Sequence, residues 1–358
     1  MNLRLRTASL WPALPPVLSF LAALVVSGVI LILLGYNPLP IFELLLIEPF
    51  RSLSNIGGVL ERMVPLLLAG LAVAAAFRAG VFNLGVEGQL YLGAFAAAWV
   101  GFTLAAPGPV QIVAAMAFSA LVGALFALIP GVLRAYFNAN EIVTTIMLNY
   151  VAINLASWLV TGPFKAPNVG SADSEAIAAT ARLGRFLPVS RAHIGLFIAL
   201  ALAVGLYLLL YRTTIGYELR MTGANSRFAQ YGGVSVPKTI LIAMLVSGCL
   251  GGLVGGVEVL GIQYRFRSGF SPGYGFDGIT VALLARVEPL AMPLAALLFA
   301  VLRSGSSIVG VRSDVGREVV DVLQSIIILF VTAEGLWYFV RRRRAQRENA
   351  APQSSGGA

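Results

Sequence analysis

The sequence predicts an all-α, polytopic helical membrane protein of about ten transmembrane helices. Three observations carry that reading. Apolar residues make up 58 % of the 358-residue chain and charged residues only 11 %, against about 25 % charge in a soluble domain. Uncharged runs long enough for a bilayer recur along its length, and basic residues gather at their ends. A mean hydropathy of +0.86 agrees, and together these exclude a soluble enzyme, a disordered chain and a coiled coil. The formal net charge of +9 would suggest nucleic acid in a soluble protein. Here the excess flanks apolar runs and fills the tail at Arg341, Arg342, Arg343, Arg344 and Arg347, the pattern of the positive-inside rule. Cys249 is the single cysteine and His193 the single histidine, so neither an internal disulfide nor a Cys- or His-based metal site is expected. His193 reads as a loop or interface histidine.

In chain order, Arg4 and Arg6 precede Val17–Leu34, a first span too long for a signal-peptide core. The next uncharged runs are Met63–Phe77, Gly88–Pro109, Val110–Leu133, Ile142–Phe164, Ile194–Tyr211 and Thr239–Val257. Pro107-Gly108-Pro109 divides two of them. Gly278–Ala285 and Leu290–Leu302 flank Arg286, Val287, Glu288 and Pro289. They read as two short spans, or as a re-entrant hairpin that lowers the count to about eight. The last span is Val319–Val340, with Asp321 and Glu334 near its ends. Residues 1–16 form the cytoplasmic N-terminus, 17–340 the membrane domain and 341–358 a basic cytoplasmic tail. With both termini cytoplasmic, Arg78, Arg134 and the connection 212–238 fall on the basic side. The segment Thr161–Arg191 falls outside and, with Lys165, Arg182, Arg185 and Arg191, runs against the rule.

Polar residues within this apolar chain mark four segments. Gly80-Val81-Phe82-Asn83-Leu84-Gly85-Val86-Glu87-Gly88-Gln89 reads either as a broken helix lining a path, with Asn83, Glu87 and Gln89 on it, or as a tight turn with a helix cap. In Asn140–Tyr150, Asn140 and Glu141 suit a helix N-terminus. Thr145, Asn149 and, less closely, Asn154 form a stripe that either bonds a neighbouring helix or lines a pore. Gly248, Gly252 and Gly256 make two overlapping GxxxG pairs before Glu258, which favours close helix approach. Glu258 either reaches the interface or serves the path. Lastly, Asn225 can cap a short helix running to Tyr231, with Gly232 as its stop. Its Phe228 and Tyr231 share a face that suits a groove of another protein or the lipid surface.

No GxxxxGK[ST] loop, HExxH or GxSxG occurs, and the two lysines, Lys165 and Lys238, follow no glycine-rich loop. Asn83, Glu87, Asn149, Gln263 and Tyr264 offer amides, a carboxylate and an aromatic face to a polar solute. The rival class is an ion-gradient-driven secondary transporter of a small polar solute with Glu87 and Glu258 as its ion sites. Inverted repeats would favour it. The two Gly-Val-Glu tripeptides, at 85–87 and 256–258, are too short to count as one.

As a set, the four segments resemble the permease subunits of bacterial ABC importers in the ribose/branched-chain amino acid permease superfamily. Gly80–Gln89 resembles that superfamily's most recognisable run. Asn140–Tyr150 is similar to a run of the nucleoside (guanosine-type, "simple sugar") branch. Gly223-Ala224-Asn225 with Tyr231-Gly232-Gly233-Val234 resembles its coupling region, and Gly273–Ile279 with Ala282–Arg286 also matches. Ala285 stands where the family usually has glycine, and Phe228 where it usually has alanine. The resemblance covers roughly residues 55–340. It implies an ATP-driven importer subunit in the bacterial cytoplasmic (inner) membrane, not itself an enzyme, for nucleosides or related sugar-bearing solutes. It implies a second permease, forming a heterodimer, a separate ABC ATPase that carries the ATP and Mg, and an extracytoplasmic substrate-binding protein. Arg220, Gly223, Asn225, Arg227, Phe228, Tyr231 and Gly232 would meet the ATPase. Asn83, Glu87, Gln89, Thr145, Asn149, Glu258 and Gln263 would belong to the translocation path.

Overall fold

The computed structural model describes residues 14–330 except 168, 169, 188 and 317. The tail 341–358, most of the N-terminal segment 1–16 and the second half of Val319–Val340 lie outside the described residues. The chain divides into a smaller unit, Met1–Leu46 with Gly305–Ala358, and a larger one, Ile47–Ser304.

In the smaller unit, helix α1 spans Leu14–Leu33. Asn37 accepts the Leu39 amide at 3.1 Å and so caps the short α2, Pro38–Phe42. A Cβ on Gly305 would lie 2.7 Å from the Leu45 carbonyl carbon, so only glycine allows that approach. Residues 318–330 are helical, and Ser306 donates to Gln324 at 2.9 Å.

The larger unit begins with α3, Leu53–Arg78, whose N-cap Ser52 accepts from the Asn55 amide. Next come α4 (Val86–Thr103), α5 (Gly108–Phe137), α6 (Glu141–Thr161) and α7 (Gly195–Arg212). The short α8 (Thr214–Ala224) and α9 (Ser226–Tyr231) precede α10 (Val236–Glu258). The chain then runs through α11 (Tyr274–Leu284) into α12 (Met292–Arg312). Asn140 accepts the Ile142 and Val143 amides at the start of α6, as its residue type predicts.

Six of the described helices are long and apolar enough to cross a membrane: α3, α5, α6, α7, α10 and α12. They differ in what surrounds them. The apolar windows of α3 and α10 are 83 % and 72 % buried, those of α5, α6 and α7 only 28 %, 22 % and 28 %. Leu121, Leu125 and Ile129 on α5, and Met147, Val151 and Leu155 on α6, stand exposed at four-residue spacing. Continuous apolar helix faces of this kind belong against lipid. The α4 helix, with Glu87 and Gln89 in its first turns, is almost wholly buried between other helices.

Glycines let α10 wedge between α4 and α5. Gly248 and Gly252 face Gly123 on α5, where a Cβ on Gly123 would lie 2.7 Å from the Gly252 Cα. Gly251 and Gly255 face α4, against Gln89 and Leu90. Ser119 Oγ donates to the Gly252 carbonyl at 2.6 Å. The GxxxG spacing therefore does here what close helix packing requires of it.

The ambiguous region around 278–302 resolves into a short helix, a turn and a long helix. With 11 residues at about 1.5 Å each, α11 is roughly 16 Å long, about half of a bilayer's hydrocarbon thickness.

Candidate functional site

The α3 helix stops at Arg78 because Gly80 takes a left-handed φ of +75°, and the backbone stays irregular until Val86. Asn83 and Gly85 within this break are buried, so their polar groups need partners. Asn83 Nδ2 donates to Gln89 Oε1 at 3.1 Å and to Ser247 Oγ at 2.8 Å. Its Oδ1 accepts from Gln89 Nε2 at 3.1 Å and from the Gly85 amide at 3.0 Å. Ser247 Oγ donates onward to the Ala72 carbonyl at 2.6 Å. Asn149 reaches in from α6: its Nδ2 donates to the Leu84 carbonyl and its Oδ1 accepts the Gly88 amide, each at 2.8 Å. Asn83, Gln89 and Asn149 thus come together in one network joining α3, α4, α6 and α10. Thr145 is fully buried but bonds its own helix, at the Glu141 carbonyl, 2.6 Å away. Asn154 likewise donates to the Tyr150 carbonyl.

Glu87 points elsewhere. Its Oε2 accepts the Gly275 amide at 2.6 Å, placing a carboxylate of α4 at the positive end of α11. Ser271 Oγ accepts the Gly273 and Tyr274 amides at the same helix start. One turn beyond Glu87, Tyr91 joins an aromatic cluster, 5.0 Å from the Phe270 ring and 6.3 Å from Phe266. Phe95 lies 5.9 Å from Phe266. Neither Ser271 nor this cluster was singled out in the sequence. The i, i+4, i+8 spacing of Glu87, Tyr91 and Phe95 was the available signal.

Glu258 ends α10 where the helix widens into a π-turn over Val259–Gln263, and Tyr264 closes it at φ +56°. Glu258 is buried, and its Oε1 has no hydrogen-bond partner among the described residues. Gln263 and Tyr274 present their polar groups to this carboxylate. Tyr264 is stacked by Arg182, 4.6 Å from the ring centre, and its hydroxyl accepts from Arg185 at 3.0 Å. Two of the basic residues that break the positive-inside pattern are thus engaged locally.

The short helix predicted to run from an Asn225 cap to Tyr231 is present as α9. Asn225 Oδ1 accepts the Phe228 amide at 3.1 Å, and Gly232 closes the helix. Ala229 is buried beneath it, while Phe228 and Tyr231 are 62 % and 93 % exposed. Arg227 is also exposed. Arg220 turns inward: its Nε donates to the Leu210 carbonyl at 2.9 Å, and its guanidinium lies 4.9 Å from the Tyr211 ring centre. A Cβ on Gly223 would lie 3.0 Å from the Gly80 nitrogen, so the α8–α9 segment rests directly on the α3–α4 break.

The exposed α9 and its support at Gly223 thus sit against the point where α3 breaks. The sequence profile described as "Branched-chain amino acid transport system / permease component" matches residues 55–332. The chain belongs to this family. Three relatives show how far the likeness extends. The glucose ABC transporter permease protein TsgB13 of Haloferax volcanii is 37 % identical over 98 % of this chain and 96 % of its own length. The guanosine ABC transporter permease protein NupP of Bacillus subtilis is 36 % identical over 91 % and 95 %. A second guanosine ABC transporter permease protein of Bacillus subtilis, NupQ, is 28 % identical over 82 % and 93 %. As members of this permease family, the residues described above sit on a translocation component with several membrane helices.

Proposed function

We propose that this chain is the membrane-spanning permease subunit of an ATP-driven importer for nucleosides or related sugar-bearing solutes. The observation that carries the reading is the family match over residues 55–332, together with near end-to-end likeness to glucose and guanosine permeases. A glucose and a guanosine permease are almost equally similar, so the shared chemistry is a sugar ring rather than a base.

In this reading the chain lies in the bacterial cytoplasmic membrane with about ten helices and both termini inside. The exposure of Phe228 and Tyr231 supports docking of a separate ABC ATPase, which binds the ATP and Mg. Arg227, Asn225 and Gly232 present that helix, and Arg220 and Gly223 hold its base. A second permease completes the pathway, as the paired NupP and NupQ suggest by analogy, and an extracytoplasmic protein delivers the solute. Glu258 and Gln263 line the path. Asn83, Glu87, Gln89, Thr145 and Asn149 set its geometry by holding the broken helix in place.

The test is uptake of radiolabelled guanosine and glucose by the complete transporter in ATP-loaded vesicles. Changing the nucleotide-loop lysine of the partner ATPase should abolish uptake, and a proton uncoupler should leave it intact. Uptake that survives the lysine change, or that collapses with the uncoupler while ATP is present, would sink the reading in favour of an ion-driven carrier.

A further inference from the structure

The turn between α11 and α12 is strained and is held from outside. Arg286 and Val287 are consecutive non-glycine residues at φ +53° and +60°, a conformation that persists only where neighbours enforce it. The Arg286 and Val287 amides bond back to α11, at Leu283 and Ala282, and from outside the turn is held by Arg78, the last residue of α3. Its Nε donates to the Val287 carbonyl at 3.0 Å, and its Nη2 forms an ion pair with Glu288. The hydroxyl of Tyr211, near the end of α7, donates to both Glu288 oxygens, at 2.8 and 2.9 Å. Tyr211 in turn carries the Arg220 guanidinium of α8 over its ring. One acidic side chain thus joins the ends of α3 and α7 to the α11–α12 turn, directly beside the segment that supports α9. At its other end α11 is held by Glu87, and along its length Gly278 packs on Ala69 of α3.

We propose that Glu288 is a positioning residue for energy coupling. With Arg78 and Tyr211 it is the linkage through which movement of the α8–α9 segment reaches α11, the half-length helix whose start abuts Glu87. The inference rests on the import reading. Glu288 and Arg78 are partly exposed, and exposed ion pairs add little to fold stability. What the Glu288 carboxylate does provide is a link between two other elements, the ends of α3 and α7, through Arg78 and Tyr211.

The experiment measures solute imported per ATP hydrolysed by the complete importer in proteoliposomes, using guanosine or glucose, whichever the wild type takes up. The variants are Arg78→Glu, Glu288→Arg, Glu288→Gln, Tyr211→Phe and the exchange Arg78→Glu/Glu288→Arg. Each single variant should assemble and hydrolyse ATP, and those at Arg78 and Glu288 should import about tenfold less per ATP, the fold-change of a lost charge-assisted hydrogen bond. Tyr211→Phe should show a smaller loss, and the exchange should recover most of it. A native ratio in Glu288→Gln and Tyr211→Phe overturns the proposal, as does an exchange no better than its singles, or import and hydrolysis falling in equal proportion throughout. A wild type whose uptake ignores ATP overturns the import reading and the linkage with it. An ATP-driven wild type with unaffected variants overturns the linkage alone.

Discussion

Asn83 makes four hydrogen bonds with one side chain, while none of its surface reaches the outside of the protein. Replacing it with leucine strands Gln89 and Ser247, and each buried group left unpaired costs about 1–3 kcal/mol. Asn83→Leu should therefore lower the unfolding midpoint in detergent well below that of a surface control such as Gln230→Ala; equal midpoints would refute the network's structural weight. His193 is buried in the loop before α7, where its Nδ1 accepts the Gly195 amide at 3.1 Å and its Nε2 has no partner among the described residues. Burial, and then the nearby Arg185, push its pKa down to about 4. The unfolded chain binds that proton near pH 6.5, so the folded state loses stability as pH falls from about 6.5 towards 4 and gains nothing further above it. The loss reaches about 3 kcal/mol at most. Comparing unfolding midpoints at pH 7 and 4.5 checks this, since His193→Gln should flatten the wild-type slope. Ala285, which departs from the family's usual glycine, sits at φ −73°, so alanine fits there without strain; the left-handed turn begins one residue later.

Among elements, the glycine contacts of α10 give the sharpest contrast. A Cβ on Gly252 would strike the Ser119 carbonyl, whereas one on Gly205 of α7 meets nothing within 4 Å among the described residues. Gly252→Ala should prevent a stable fold, or lower its midpoint by several degrees. Gly205→Ala should be neutral or gain about 0.5–1 kcal/mol from its helix preference. For α9, only six residues long, the Asn225 cap is a large share of its stability. Asn225→Ala removes about 0.5–2 kcal/mol and should weaken co-purification of the ATPase; unchanged co-purification would separate this helix from docking. Caps and glycine faces were legible in the sequence because each is a local pattern: Asn140, Asn225, Gly232 and the 248/252/256 spacing all act where they were expected. Glu87 reads differently. It lies at a helix start in sequence, yet it caps α11, which begins far along the chain at Tyr274. No local pattern carries a partner that distant, and the same holds for Arg78 with Glu288 and for His193, whose burial depends on Gly261. Nor did hydropathy show that Gly278–Ala285 is only part of a half-length helix, because length and apolarity do not reveal what a short segment packs against.

For the molecule as a whole, the orientation argued from charge has a direct check. Cys249 is the only cysteine, so a Cys249→Ala background accepts single reporters. Val189 and Tyr231 are 86 % and 93 % exposed and fall in connections assigned to opposite sides. In intact cells a membrane-impermeant maleimide should label Val189→Cys but not Tyr231→Cys, with the second site labelled only after the cells are opened. The reverse pattern would invert the topology and remove α9 from the ATPase. One consequence concerns where such a protein is able to move. Where Gly93 and Gly123 meet Gly252, and Gly255 meets Leu90, backbone lies against backbone, with few rotatable atoms to take up a displacement. At those points covalent dimensions set the spacing of α4, α5 and α10, so the three behave as a stiff frame. Opening and closing then fall to surfaces more richly covered by side chains.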